Sequence, residues 1–506
     1  MFENQPKGLW TLAIANTGER FGYYTMLMVF TLFLKDNFAF SEAQAGVIYS
    51  VFLGLVYFLP LFGGMLADRF GYGKMVTYGI VVMFLGYLLL ALPLGSDMSA
   101  LVAVCGALGL VSLGTGLFKG NLQVLTGNLY DDPRYAANRD SGFSIFYMAI
   151  NIGSLFAASA GLWAMGYAQQ HFGWTKAESY HAAFAVACLS LVFSIIVYYV
   201  FRNTYKHADY NSNTKKAVSG EAEEELSPKE TKERIVALCL VFAVVIFFWM
   251  AFQQSGSTLT FFAEQYTATQ IDGTLSCMMF DVWNLVLLIV IVYAAFSLAQ
   301  GKTASGKAFS GAIIVLSIVA LVVRYFYADA TITVEAPIFQ QFNPCFVVAL
   351  TPVSMAVFGA LAKRGKEPSA PRKIAYGMLV AALAYMVMTV ASIGLVDPAT
   401  QKAAGSAAVR VSENWLISTY FILTFAELLL SPIGISFVSK VAPPKYKGMM
   451  MGGWFVATAI GNLLVCIPGL LWKNVPLVAV WGILVGLCLL SALFLFSIMK
   501  RLEKVC

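Results

Sequence analysis

The chain is a succession of long apolar stretches separated by shorter polar ones. Each apolar stretch holds about 18 residues or more, which is enough for a helix to cross the roughly 30 Å of hydrocarbon in a bilayer. The pattern predicts fourteen membrane-spanning helices, and we therefore expect an all-α membrane protein. The predicted ranges are 9–34, 44–67, 75–95, 100–130, 141–168, 181–202, 234–263, 281–300, 309–328, 336–362, 374–396, 412–439, 447–472 and 476–499.

The longest polar segment runs from Arg202 to Arg234 and includes the polar run 211–213 (NSN) and the acidic run 223–225 (EEE). Such a segment between two apolar regions is typical of a cytoplasmic linker. The chain is therefore predicted to consist of a helical bundle over 1–202, a linker over 203–233 and a second bundle over 234–506.

An internal similarity supports two related halves. Residues 64–69 (GMLADR) resemble residues 359–364 (GALAKR), and duplicated halves are common in secondary transporters. The second copy lies 70 residues further from the start of its half than the first copy does. Two apolar runs, 281–300 and 309–328, account for this surplus and predict an accessory transmembrane hairpin at about 281–328. The alternative is that these runs are core helices and that two other helices are accessory.

The composition excludes a soluble protein. Hydrophobic residues make up 59% of the chain and charged residues only 12%, about half the charged share of an ordinary soluble domain. With both termini in the cytoplasm, 25 of the 33 Lys and Arg residues lie on the cytoplasmic side and five lie outside, as the positive-inside rule requires. The net charge of +6 therefore reflects membrane orientation and does not predict a nucleic-acid partner.

The cysteines and the N-terminus exclude further classes. Most of the eight cysteines lie in apolar runs, so neither a disulfide framework, a metal site nor a cofactor is expected. The first apolar run exceeds the length of a signal-peptide core, and we expect it to remain in the mature protein.

The first predicted helix carries a polar stripe. Asn16, Glu19, Arg20, Tyr23 and Tyr24 are spaced so that they share one helical face. An ionisable group at the centre of a membrane helix costs about 3 kcal/mol on insertion scales, so it needs a partner or a function. We expect the stripe to face a water-filled cavity.

Two further charges stand alone in apolar helices, Lys119 in the first half and Glu427 in the second. The same insertion cost favours a role in transport for Glu19, Arg20, Lys119 and Glu427. The alternative for the first three is a structural cluster of ion pairs.

Three segments resemble signatures of one family. Residues 63–71 (GGMLADRFG), 146–154 (FYMAINIGS) and 425–434 (FAELLLSPIG) are similar to the loop, fifth-helix and tenth-helix motifs of the proton-coupled oligopeptide transporters, a family of the major facilitator superfamily. The resemblance implies two six-helix bundles, to which the surplus residues add the accessory hairpin. It also implies residence in the plasma (inner) membrane and import of di- and tripeptides with protons by alternating access. Asp68 and Arg69, in the loop motif, are expected to have a gating or structural role.

The resemblance also implies the binding site. Arg20 and Lys119 match positions that hold a peptide carboxylate, and Glu427, Asn151 and Asn343 match positions that hold the amino terminus. The remaining matched positions of the pocket are Tyr23, Tyr24, Tyr57, Gln253, Trp454 and Thr458. The implied proton carriers are Glu19 and Glu427, and the implied partners are a small-molecule substrate, protons and membrane lipids.

Three positions depart from the family pattern. Asn16 and Gln253 stand where glutamates are usual, and Leu27 stands where an arginine is usual. Amides do not exchange protons near neutral pH. Two hypotheses follow: a proton-coupled importer of peptides or peptide-like compounds, or a carrier of a non-peptide organic anion with altered or no proton coupling. An enzyme is not expected, because the sequence lacks convergent catalytic groups.

Overall fold

The computed structural model describes residues 4–210, 226–301, 303–405, 408–443 and 446–505, so 211–225 of the predicted linker lie outside the described residues. Within these ranges the chain is almost entirely helical. The helices are α1 (Lys7–Phe38), α2 (Glu42–Phe58), α3 (Pro60–Phe70), α4 (Tyr72–Ala91), α5 (Met98–Asn128), α6 (Arg139–Phe172), α7 (Lys176–Val200), α8 (Pro228–Phe252), α9 (Thr258–Tyr266), α10 (Thr274–Met279), α11 (Val282–Gln300), α12 (Ala304–Tyr327), α13 (Phe342–Lys363), α14 (Ala370–Ala391), α15 (Pro398–Ala404), α16 (Asn414–Val441), α17 (Lys447–Leu463), α18 (Cys466–Leu471), α19 (Leu477–Ser497) and α20 (Met499–Glu503). The two short strands are β1 (Gln270–Asp272) and β2 (Thr331–Thr333).

The number of spans agrees closely with the sequence prediction. Thirteen helical segments of the described chain are long and apolar enough to cross a membrane. The helix α1, with 32 residues, is also long enough to span, although it carries the polar stripe. The protein is therefore a multi-pass membrane protein.

The helix α8 begins earlier than the sequence pattern predicted, at Pro228 and not at 234. Ser227 and Glu230 form a capping box, in which the backbone N–H of Glu230 donates to Ser227 Oγ at 3.2 Å and the backbone N–H of Ser227 donates to Glu230 Oε2 at 3.2 Å. Pro228 suits the first helical position because that position needs no N–H donor. Residues 228–233 are therefore helical.

The structure divides into two compact units. The first comprises Met1–Ser257, Ile435–Leu471 and Ile498–Cys506, and the second comprises Thr258–Gly434 and Trp472–Ser497. The first unit combines helices from both predicted halves, so the two units do not coincide with the two halves. The division into 1–202, 203–233 and 234–506 stays a prediction.

Within the first unit, two glycines let α1 approach α7 closely. A Cβ atom on Gly22 would lie 3.0 Å from the carbonyl oxygen of Ala187, and one on Gly18 would lie 3.2 Å from that of Ser190. Two small residues four apart on one helical face allow a neighbouring helix to approach this closely.

Within the second unit, α11 and α12 form the predicted hairpin. Strands β1 and β2 pair antiparallel at its base, with Ile271 opposite Ile332. Arg324 of α12 is ion-paired with Asp281 and donates to Asn284 Oδ1 at 2.5 Å, so this charge is satisfied inside the hairpin. Most of α12 is exposed apolar surface suited to lipid.

Candidate functional site

The centre of α1 holds a buried ion pair. Arg20 Nε and one terminal nitrogen each donate to a different carboxylate oxygen of Glu19, both at 2.5 Å. Glu19 is 0% exposed and Arg20 is 3% exposed. Burying charges is tolerated when they are paired in such a bidentate geometry. Each of these two charges is therefore neutralised by the other.

The polar stripe of α1 does not face water as a whole. Asn16 and Tyr23 are buried together with the ion pair, and only Tyr24 is partly exposed. The expectation that the stripe faces a water-filled cavity is corrected, because the pairing of Glu19 with Arg20 removes the need for solvent.

Lys119 of α5 is a second cation of the candidate site, and it takes no part in the pair of Glu19 with Arg20. Its Nζ atom lies 3.8 Å from the ring centroid of Tyr57 on α2. In the part of the chain that the structure describes, no carboxylate lies within ion-pair distance of this ammonium. A cation over an aromatic face is attracted by the electron-rich ring but keeps its full charge. Lys119 is thus available to an anionic group.

Aromatic side chains pack in pairs between α2 and α8 and between α8 and α17. The ring of Tyr57 lies 6.4 Å from that of Trp249 on α8, and the ring of Phe242 lies 6.4 Å from that of Trp454 on α17. Arg20 lies 4.5 Å from the ring centroid of Tyr23. These helices therefore combine aromatic surface with a lysine that has no carboxylate partner among the described residues.

The predicted polar positions of the first unit have mostly local partners. The hydroxyl of Thr458 donates to the carbonyl of Trp454 at 2.9 Å, and Asn151 Nδ2 donates to the carbonyl of Tyr147 at 3.2 Å. Gln253 follows the last residue of α8, where the helix tightens into a short 3₁₀ turn, and is half-buried.

The second unit contains the predicted acid. Glu427 of α16 is buried, and its Oε2 accepts a hydrogen bond from Nδ2 of Asn343 on α13 at 3.0 Å. The same Asn343 amide also donates to Thr424 Oγ1 at 3.0 Å. The Asn343 amide donates to the carboxylate of Glu427 but carries no charge itself.

Asp68 and Arg69 lie at the end of α3, apart from these side chains. The hydroxyl of Tyr72 donates to Asp68 Oδ1 at 2.5 Å, and Arg69 lies 5.5 Å from the ring of Phe70. Gly71 follows with a φ of 101°, which favours glycine, and turns the chain into α4. These contacts support a structural role for the two charged residues.

Among the residues with unsatisfied polar groups, sequence reasoning missed two that lie beside predicted pocket positions. Trp249 Nε1 and both amide atoms of Asn462 are buried without a hydrogen-bond partner among the described residues. Asn462 follows Trp454 and Thr458 at intervals of eight and four residues, so helical spacing from the two predicted positions would have identified it.

Comparison with known proteins gives consistent matches. A sequence model of the POT family matches residues 73–222 and 322–477, together more than half of the chain. The chain is 29% identical to the uncharacterized transporter YclF of Bacillus subtilis (strain 168), over 99% of this chain and 96% of that protein. It is 28% identical to dipeptide and tripeptide permease A of Citrobacter koseri, over 91% of this chain and 83% of the permease.

Solved structures match as well. The crystal structure of peptide transporter POT in complex with sulfate has a TM-score of 0.73 and 24% identity, covering 100% of this chain and 96% of that one. This likeness concerns the fold. It confirms the predicted fold class, an all-α membrane protein with the major facilitator fold.

Proposed function

Because the chain belongs to the POT family, we propose that it is a secondary active transporter that imports di- and tripeptides or peptide-like compounds by alternating access. A relative named as a dipeptide and tripeptide permease, aligned over nine-tenths of the chain, supports this substrate class. The protein would lie in the plasma (inner) membrane among lipids, with both termini in the cytoplasm, as the distribution of Lys and Arg favours.

The observation that carries the proposal is the state of two cations, Arg20 and Lys119, in the first unit. Arg20 is neutralised by Glu19, whereas Lys119 rests on an aromatic ring without a carboxylate. A peptide carboxylate would supply the missing negative charge. Lys119 is therefore the primary group for the substrate carboxylate, and Arg20 joins it only when its pairing with Glu19 weakens.

The amino terminus of the substrate requires an acceptor. Glu427, Asn343 and Asn151 are the candidates by their match to the family motif. Tyr23, Tyr24, Tyr57, Trp454 and Thr458 are proposed to line the pocket, where aromatic walls accept varied side chains.

Proton coupling would rest on Glu19 and Glu427, because Asn16 and Gln253 cannot titrate. A proton on Glu19 would cancel its attraction for Arg20 and release the guanidinium toward a substrate carboxylate. Proton uptake and substrate binding would then favour each other, which is the requirement for symport.

One observation favours a second candidate, a carrier of a non-peptide organic anion. Glu19, Arg20 and Lys119 together carry one net positive charge, and Gln253 adds no negative charge to the site. An anion without an amino group would satisfy Lys119 equally well.

Purified protein in liposomes distinguishes the candidates. Labelled dipeptide should accumulate inside when the external pH is lower than the internal pH, and accumulation should cease when the gradient is collapsed. Uptake of organic anions in preference to dipeptides, or uptake that ignores the gradient, would contradict the proposal. Protein-free liposomes under the same gradient are the control.

A further inference from the structure

Asn462 on α17 is the least satisfied polar side chain near the proposed substrate groups of the first unit. It is 0% exposed, and neither its Nδ2 nor its Oδ1 has a hydrogen-bond partner within the described chain. Trp249 Nε1, on a side chain that is 9% exposed, is equally unpartnered. A buried polar group without a partner costs about 1–3 kcal/mol, so such groups indicate a partner supplied by something other than this chain.

The packing of α17 fixes the direction of Asn462. Ile460 is 40% exposed and marks the outward face of the helix. Successive helical residues are about 100° apart, so Asn462 points roughly 200° away from Ile460, into the protein.

Two neighbouring residues locate the helices on either side. A Cβ on Gly461 would lie 2.9 Å from Cβ of Trp249 on α8, whereas Leu463 packs against α2, 2.6 Å from a Cβ placed on Gly54. Asn462 lies between these two residues in the chain and on the inward face. It is therefore directed between α8 and α2.

Lys119 is linked to this region through Tyr57. The Trp249 indole packs near Tyr57, the residue over whose ring the Lys119 ammonium lies. The region thus offers an ammonium, an indole N–H and an amide that both donates and accepts. Its donors suit a carboxylate, and the amide oxygen of Asn462 suits an N–H close to that carboxylate.

A peptide presents these groups together, because the amide nitrogen of its last residue is bonded to the same carbon as the terminal carboxylate. We propose that Asn462 recognises this terminal amide, its Oδ1 accepting from the substrate N–H while Trp249 Nε1 and Asn462 Nδ2 donate to the carboxylate held by Lys119. Asn462 thereby selects peptides over carboxylates that lack an adjacent N–H. This inference rests on the proposed function and deepens it.

The test compares alanylalanine with alanyl-lactic acid, in which an ester oxygen replaces the amide N–H. Binding of each to purified protein is measured by displacement of a labelled dipeptide. Wild-type protein should bind the dipeptide roughly 3- to 10-fold more tightly than the ester, as expected for one neutral hydrogen bond. Asn462→Leu, similar in volume, should weaken dipeptide binding and bring the ratio close to one.

Three further variants make the result specific. Trp249→Phe removes the indole N–H and should weaken both compounds by the same factor, leaving the ratio unchanged. Ile460→Ala, on the outward face of α17, should change neither. Asn462→Ser serves if the leucine variant does not fold, and it should lower the ratio as well, because its shorter side chain cannot reach the substrate.

The outcomes separate the inference from the proposed function. Binding of dipeptide with a ratio that stays the same in both Asn462 variants, or a wild-type ratio near one, overturns the role of Asn462 alone. Absence of dipeptide binding by wild-type protein overturns the proposed function and this inference with it.

Discussion

At the scale of single residues, Lys119 is the cation of the candidate site that has no carboxylate partner among the described residues. Replacing it with alanine removes the only cation described there that lies over Tyr57. We expect Lys119→Ala to weaken substrate binding by roughly 10- to 100-fold, as for loss of a charged hydrogen bond, and to abolish uptake. Expression and thermal stability should be little changed, because no ion pair is broken. Lys74→Ala, at an exposed position, is the matched control, and normal uptake by Lys119→Ala would exclude this role.

The Glu19 and Arg20 pair allows a separate prediction about stability. Glu19→Gln leaves a buried guanidinium without its carboxylate, which is expected to cost about 3–5 kcal/mol. The double variant Glu19→Gln with Arg20→Met removes both charges and should be more stable than the single one. Thermal unfolding in detergent measures the difference. A double variant less stable than Glu19→Gln alone would show that the two charges are not coupled.

Single residues also show where sequence reasoning reached its limit. Glu19 and Arg20 were recognised as important because charge is rare in apolar helices, but their mutual pairing was only one of two alternatives. Neighbours in a helix point about 100° apart, so only side-chain conformation decides whether they meet. Asn462 was missed because an uncharged amide in an apolar run carries little signal, and its lack of partners is a property of tertiary packing.

At the scale of elements, the periodic pattern was a reliable guide, because membrane thickness imposes a minimum length on every span. All fourteen predicted ranges correspond to helices of the structure, with shifted ends. The largest shifts arise from local chemistry, as in the capping box that starts α8 at Pro228. The sequence did not predict the short strands β1 and β2, since three-residue strands carry too little periodicity.

The contact of α1 with α7 can be tested through its glycines. Gly22→Ala places a Cβ within 3.0 Å of the Ala187 carbonyl oxygen and should destabilise the fold by about 1–3 kcal/mol through overpacking. Gly106→Ala is the control, because a Cβ there meets no atom within 4 Å, and it should be neutral or slightly stabilising. Equal unfolding temperatures for the two variants would contradict the importance of this contact.

At the scale of the whole molecule, the proposed coupling of transport to protons can be tested. Glu427, which accepts a hydrogen bond from the Asn343 amide, is expected to bind and release a proton during the cycle. Glu427→Gln should eliminate uptake driven by a proton gradient but spare counterflow, since exchange of labelled for unlabelled substrate moves no net proton. Both assays use the same liposomes. Gradient-driven accumulation by the variant would show that another group carries the proton.

The pairing of Glu19 with Arg20 has an electrical consequence. Because the two residues are consecutive on α1, no movement of one helix against another can separate them. The pair therefore moves as a dipole without net charge, and the membrane voltage does no net work on it. Once Glu19 takes a proton, the same site carries a full positive charge, on which the field acts with about 2.3 kcal/mol per 100 mV for a complete crossing. Voltage would then act on the protonated carrier and leave the unprotonated pair unaffected.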